Sequence, residues 1–281
     1  NMTRKPLRII PRLDIKGPNL VKGIKLEGLR VLGNPELFAE KYYQDFADEF
    51  FFQDIVASLY ERNNLSNIVE LVAKKVFVPL TVGGGIRSIH DIENILRSGA
   101  DKVSINTAAI KMKSLISEAS QVFGSSTICV AIECIKINNE WVASYDNGRE
   151  ISSLKVGAWI QELQDLGAGE IIITNVDREG TSKGVDQDLL DLVTQNITVP
   201  LIYHGGINTI DDIKYCYDAG CDGIAIASIL HYKICKSLDS DKSNEGNYKF
   251  IEDNLDIPSL VETDSILKIK KKLREIGVET R

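Results

Sequence analysis

The sequence has no CxxC pair, no excess of basic residues and no apolar run of the roughly 18 residues that a bilayer-spanning helix needs. Its 40 acidic residues outnumber 33 basic ones, for a formal charge of −7, whereas nucleic-acid binders present a basic face or stripe. No nucleic-acid or membrane partner is expected, and any anionic ligand has to be held by local donors. Cys129, Cys134, Cys216, Cys221 and Cys235 are odd in number and fall mostly in apolar segments, which fits reduced core thiols in a cytoplasmic protein. The N-terminus carries no signal-peptide-like apolar region, which also points to the cytoplasm. With three histidines and no cluster of Cys or carboxylates at ligand spacing, neither a metal site nor a cofactor is expected.

What is present is a rhythm. Short β-branched or apolar runs alternate with helical patterns, the signature of βα units around a parallel sheet. Strands are predicted at 8–14, 49–54, 77–82, 102–105, 128–133, 170–174, 201–203 and 223–226. Eight such units in 281 residues suit one closed (β/α)8 TIM barrel spanning 1–281. Asp, Ser, Asn and Gly break the rhythm at about 238–262, a predicted surface insertion, before a last helix at about 264–276.

The barrel reads as two duplicated half-barrels. Thr81-Val-Gly-Gly-Gly-Ile-Arg-Ser is echoed 121 residues later by Ile202-Tyr-His-Gly-Gly-Ile-Asn-Thr. Gly99-Ala-Asp-Lys-Val-Ser-Ile-Asn-Thr answers to Gly220-Cys-Asp-Gly-Ile-Ala-Ile-Ala-Ser at the same offset. A repeat this long lies far outside the solenoid range of about 20–50 residues and marks two four-unit halves.

Active sites of such barrels lie at the C-terminal strand ends. Gly83-Gly-Gly85, Asn106-Thr107, Gly205-Gly206 and Ala227-Ser228 fall there, where small residues and helix N-termini let backbone N–H groups approach an anion. Any one glycine pair reads equally as a turn, but the duplicated set predicts two phosphate cradles for a phosphate-bearing small molecule. Asp14 and its counterpart Glu133, offset by 119, place carboxylates across the mouth, a pair suited to proton transfer. A carboxylate ending an apolar strand is costly to bury without a partner, so packing alone does not account for it.

These motifs resemble the cyclase subunit of imidazole glycerol phosphate synthase (HisF). The resemblance runs from about Arg8 to Tyr232 on Leu13-Asp-Ile-Lys, Val21-Lys-Gly, Phe77-Val-Pro-Leu-Thr-Val-Gly-Gly-Gly-Ile, Gly99-Ala-Asp-Lys-Val-Ser-Ile-Asn-Thr-Ala-Ala, Gly167-Ala-Gly-Glu, Asp177-Arg-Glu-Gly-Thr and His204-Gly-Gly. It implies ring closure on a bis-phosphorylated substrate with ammonia from a separate HisH-like glutaminase docked at the opposite barrel end. Asp14 and Glu133 would be catalytic. Gly85, Asn106 and Thr107 would hold one phosphate; Gly180, Gly206, Ala227 and Ser228 the other, with Glu179, Thr181, His204 and Gly205 beside them. Lys22 would lie on a mobile loop over the substrate, Asp101 at the glutaminase contact, and Arg8, Glu49, Lys102 and Glu170 at an ammonia gate. The four charges read alternatively as a salt-bridge plug.

Departures from the pattern bear on function. Glu133 and Glu179 stand where the family has Asp, Arg12 where it has Cys, and His204 where it has Ser. A carboxylate displaced by about 1 Å can slow a reaction roughly a hundredfold. His204 fits either a proton shuttle or a hydrogen-bonding group lining the mouth. The stretch from Arg12 to Gly23, followed by Leu26-Glu-Gly-Leu-Arg-Val-Leu-Gly-Asn-Pro, looks like a branch of the family tied to surface polysaccharides, in which the ammonia serves an ATP-dependent sugar amidotransferase that turns an acetamido sugar into an acetamidino sugar. That branch is the preferred sequence-based reading. A true cyclase and a non-catalytic scaffold that activates the glutaminase are the alternatives.

Overall fold

The computed structural model describes residues 5–57, 65–238 and 265–281. Twelve strands run β1 (Arg8–Lys16), β2 (Asn19–Ile24), β3 (Glu27–Gly33), β4 (Phe50–Asp54), β5 (Leu80–Gly83), β6 (Lys102–Ile105), β7 (Ile128–Ile137), β8 (Glu140–Tyr145), β9 (Glu150–Lys155), β10 (Glu170–Asn175), β11 (Leu201–His204) and β12 (Gly223–Ile226). Eight of them pair in parallel in the cyclic order β1, β4, β5, β6, β7, β10, β11, β12 and back to β1. The predicted TIM barrel is therefore the fold. All eight predicted strands form, the third starting at Leu80 rather than Phe77, because ladder pairing to β4 and β6 begins only beyond Pro79.

Helices cover the outside: α1 (Pro35–Gln44), α2 (Ser66–Ala73), α3 (Ile89–Arg97), α4 (Thr107–Lys111), α5 (Ser114–Phe123), α6 (Val156–Asp165), α7 (Gln187–Thr194), α8 (Ile210–Ala219), α9 (Ser228–Leu238) and α10 (Ile266–Glu275). Their starts follow local chemistry. Asn34 caps α1 by accepting from the Leu37 amide, with Pro35 at the first helical position, and Thr209 and Asp212 form a capping box on α8. The last helix falls where it was predicted, whereas the predicted insertion at 238–262 lies, apart from Leu238, outside the described residues.

Two antiparallel hairpins extend the barrel and were not foreseen. β2–β3 follows β1 in the first half, and β8–β9 follows β7 in the second, starting 121 residues later. The duplication therefore extends to these flaps. Their tips meet over the mouth, where Asn147 Nδ2 donates to the Leu26 carbonyl at 3.4 Å.

Inward-facing residues stack in layers. The bottom layer holds Arg8, Glu49, Lys102 and Glu170. Above it lies an apolar collar of Ile10, Phe51, Cys129, Ile172, Ile202 and Ala225, all almost fully buried. The polar mouth comes next, with Arg12, Thr174 and His204 two residues further along their strands. All five cysteines are buried, and among the described residues no helix is long and apolar enough to cross a membrane.

Candidate active site

The four charges of the bottom layer form a closed ring. Arg8 reaches Glu49 at 2.7 Å and Glu170 at 2.8 Å; Lys102 reaches Glu49 at 2.6 Å and Glu170 at 2.8 Å. Burial opposes every one of these charges, but each faces two of opposite sign. That mutual attraction overcomes burial, raising the proton affinity of Arg8 and Lys102 and lowering that of Glu49. The sequence-predicted gate residues are thus brought together, in a compensated geometry that accommodates a gate and a plug equally.

At the mouth the two predicted carboxylates have different surroundings. Asp14 on β1 is buried and paired with Arg12, whose Nε donates to Oδ1 at 3.0 Å. Glu133 on β7 is also buried, and burial pushes its carboxyl up to about 7; the Gly148 N–H at 2.7 Å, the charge of Arg12 and the side chain of Asn106 offset part of the shift. One carboxylate holds an ion pair while the other is poised to carry a proton near neutrality.

Arg12 Nη1 also donates to Thr174 Oγ1 at 2.9 Å and contacts His204 Nδ1 at 3.2 Å. A guanidinium is always a donor, so Nδ1 accepts and the imidazole carries its proton on Nε2. Burial, reinforced by Arg12 and Lys22, lowers the His204 pKa well below its ordinary value. That neutral state fits a hydrogen-bonding group better than a shuttle charging near pH 7. His231, buried behind the mouth, shares this logic: burial lowers it to about 3, and it links the Arg12 carbonyl at 2.9 Å to the Tyr42 hydroxyl at 2.6 Å.

The two predicted cradles are unequal. Gly85, Asn106 and Thr107 line a cavity of about 310 Å³ together with the buried Glu133. Glu179, Gly180, His204, Gly205, Gly206, Ala227 and Ser228 line a much smaller space of about 20 Å³, room for one water. Thr181 is not among the lining residues; its hydroxyl donates to the Arg178 carbonyl at 2.7 Å. Glycine is required at the second position of each motif: a Cβ on Gly84 would lie 2.2 Å from the Asp54 carbonyl oxygen, and one on Gly205 2.7 Å from that of Asn175, both at positive φ.

Lys22, expected on a mobile cover, is buried and ion-paired with Glu179, which also accepts from the Leu26 N–H at 3.0 Å. The first flap is thereby latched shut over the second cradle. Asp101 lies exposed at the barrel bottom, with Oδ2 accepting from the Leu80 N–H at 2.8 Å. Sequence reasoning missed Gln53, Asp54, Arg87, Lys111, Asp146 and Asn147, all lining the larger cavity. Asp146-Asn-Gly148 is a hairpin-turn signature that would have found the last two.

The family described as "Histidine biosynthesis protein" matches residues 8–236. An "Imidazole glycerol phosphate synthase subunit HisF" from Legionella pneumophila is 50% identical over 209 residues, 74% of this chain and 99% of that protein. Proteins of the same name from Wolinella succinogenes and Sulfolobus acidocaldarius are 42% identical over 234 residues and 39% over 241. Those alignments cover 83% and 86% of this chain, and 92% and 96% of the relatives.

Proposed function

Because the chain belongs to the HisF family of imidazole glycerol phosphate synthase subunits, we propose that it is the ammonia-consuming cyclase subunit of such a synthase, closing an imidazole ring on a bis-phosphorylated ribulosyl precursor. A separate HisH-like glutaminase would supply ammonia at the charged ring, and the product would form at the mouth. The observation that carries this reading is the pair of unlike carboxylates at the mouth, Asp14 ion-paired with Arg12 and Glu133 raised to about 7, with Glu133 lining a 310 Å³ cavity beside Gly85, Asn106 and Thr107. In that role Gly85, Asn106 and Thr107 bind one phosphate. The names of the relatives favour ring closure over the sugar-amidination branch preferred from the sequence.

The amidination reading keeps one supporting observation, the departures at Glu133, Glu179 and His204 from the residues of the family pattern. The decisive experiment supplies the purified chain with the bis-phosphorylated precursor and ammonium salt, bypassing the glutaminase. Cyclase turnover that disappears in Glu133→Gln is expected. Background turnover in the wild type, with ammonia delivery to a sugar amidotransferase that survives Glu133→Gln but falls in Lys102→Met, would replace ring closure with the sugar-amidination branch.

A further inference from the structure

Arg12 occupies an unusual place. It stands on β1, yet its guanidinium bonds Thr174 on β10, three strands away around the wall by way of β12 and β11. The side chain therefore crosses the lumen immediately above the apolar collar, with its Cζ 5.5 Å from the centroid of the collar residue Phe51. An uncharged nucleophile that passed the collar would emerge at this guanidinium. Asp14, Thr174 and His204 fix Nε and Nη1, while Nη2 makes no hydrogen bond to the described residues. The result is a permanently charged fork, held rigid on one side and with donors to spare on the other.

We propose that Arg12 is a catalytic residue that binds and polarises the carbonyl oxygen of the substrate at the carbon attacked by ammonia. The inference rests on the ring-closure reading, since a ribulosyl precursor carries a ketone. In the step, the ammonia lone pair forms a C–N bond as the C=O π pair moves onto oxygen, where the Arg12 Nη2 donors receive the growing charge. Asp14 takes a proton from the attacking nitrogen and the Glu133 carboxyl gives one to the oxygen. The product is a carbinolamine, with atoms and charge balanced and no oxidant needed. Fixed donors in a buried mouth stabilise such charge without having to reorganise. The ion pair with Asp14 also sets Arg12 and the base at one point of attack.

The test measures cyclase turnover with ammonium salt in the wild type, Arg12→Lys, Arg12→Met and Arg12→Ala, with thermal unfolding of each. Arg12→Lys keeps the charge facing Asp14 and is the variant most certain to fold. Its kcat is expected to fall at least about tenfold, with KM little changed, because one ammonium cannot hold Asp14 and the carbonyl together. Arg12→Met is expected to lose about 10²–10³-fold in kcat, and added guanidinium salt is expected to restore part of the Arg12→Ala activity. A purely structural cation would give wild-type kcat in Arg12→Lys and no rescue, and that result overturns the assignment alone. Absence of wild-type turnover overturns both the assignment and the ring-closure reading beneath it.

Discussion

At the mouth, the first half-barrel ends β5 with Gly83, and the second ends β11 with His204, 121 residues on. The backbones of the two motifs agree closely. Gly84 and Gly205 take φ of 100° and 109°, Gly85 and Gly206 take 70° and 84°, and the glycine at the second position of each motif, Gly84 or Gly205, passes close to the carbonyl ending the neighbouring strand. The side chains have diverged, leaving an open cavity of 310 Å³ on one side and 20 Å³ on the other. Duplication has thus preserved the scaffold that makes a cradle, while in the second half His204 and Glu179, the latter ion-paired with Lys22, line the smaller space. The same divergence separates Asp14, held by Arg12, from Glu133, held by a flap-tip N–H.

In the bottom ring the two carboxylates keep the symmetry that the mouth has lost. Glu49 and Glu170 are counterparts at the 121-residue offset, and each bonds both Arg8 and Lys102. Removing either charge leaves two buried cations on one carboxylate, which costs about 3–5 kcal/mol when the vacated site stays dry. Glu49→Gln and Glu170→Gln should therefore lower unfolding free energy by similar amounts in denaturant titrations. A large loss in one and less than about 1 kcal/mol in the other would break the symmetry argument.

Much of this fold could be read from sequence because each barrel strand is an apolar run bounded by turns, and the internal echo fixed which ends correspond. The flaps were harder. β2–β3 turns at Lys25 and Leu26, both at positive φ, and leucine gives no sign of that conformation. Leu26 is held there by tertiary bonds from its own N–H to the Glu179 carboxylate and from the Lys25 N–H to the Glu179 carbonyl. Arg12 was visible as a departure from the family pattern, but its partners Thr174 and His204 lie 162 and 192 residues away, so only closure of the barrel places it across the lumen.

Glu133 sharpens the contrast at the mouth through pH. Its carboxyl rises from an ordinary 4.5 to about 7 on burial. Below 4.5 it is protonated in both folded and unfolded chains, so it adds no pH dependence there. Between 4.5 and 7 the unfolded chain gives up the proton first, and stability falls as pH rises, levelling off above about 7. Glu133→Gln keeps an acceptor for the Gly148 N–H but cannot titrate. Between pH 5 and 8 the wild type should lose roughly 3 kcal/mol relative to this variant. Parallel stability profiles for the two proteins would show that the carboxyl is not perturbed by burial.

The smallest effect concerns a pair that the halves have kept alike. Asp101 Oδ2 accepts the Leu80 N–H at 2.8 Å, and Asp222 Oδ2 accepts the Leu201 N–H at 3.0 Å, again 121 residues apart. Each carboxylate satisfies the first amide of the preceding barrel strand, a donor otherwise left at the bottom rim. Asp101→Ala and Asp222→Ala should each cost about 1 kcal/mol, the usual net value of one such bond, and the two should match. Binding to the glutaminase then separates structure from docking. If Asp101 also contacts the partner, as the family resemblance implies, Asp101→Ala should weaken association in calorimetry while Asp222→Ala leaves it unchanged, although both variants lose the same stability. Equal affinities would remove Asp101 from the interface and leave it a strand cap like its twin.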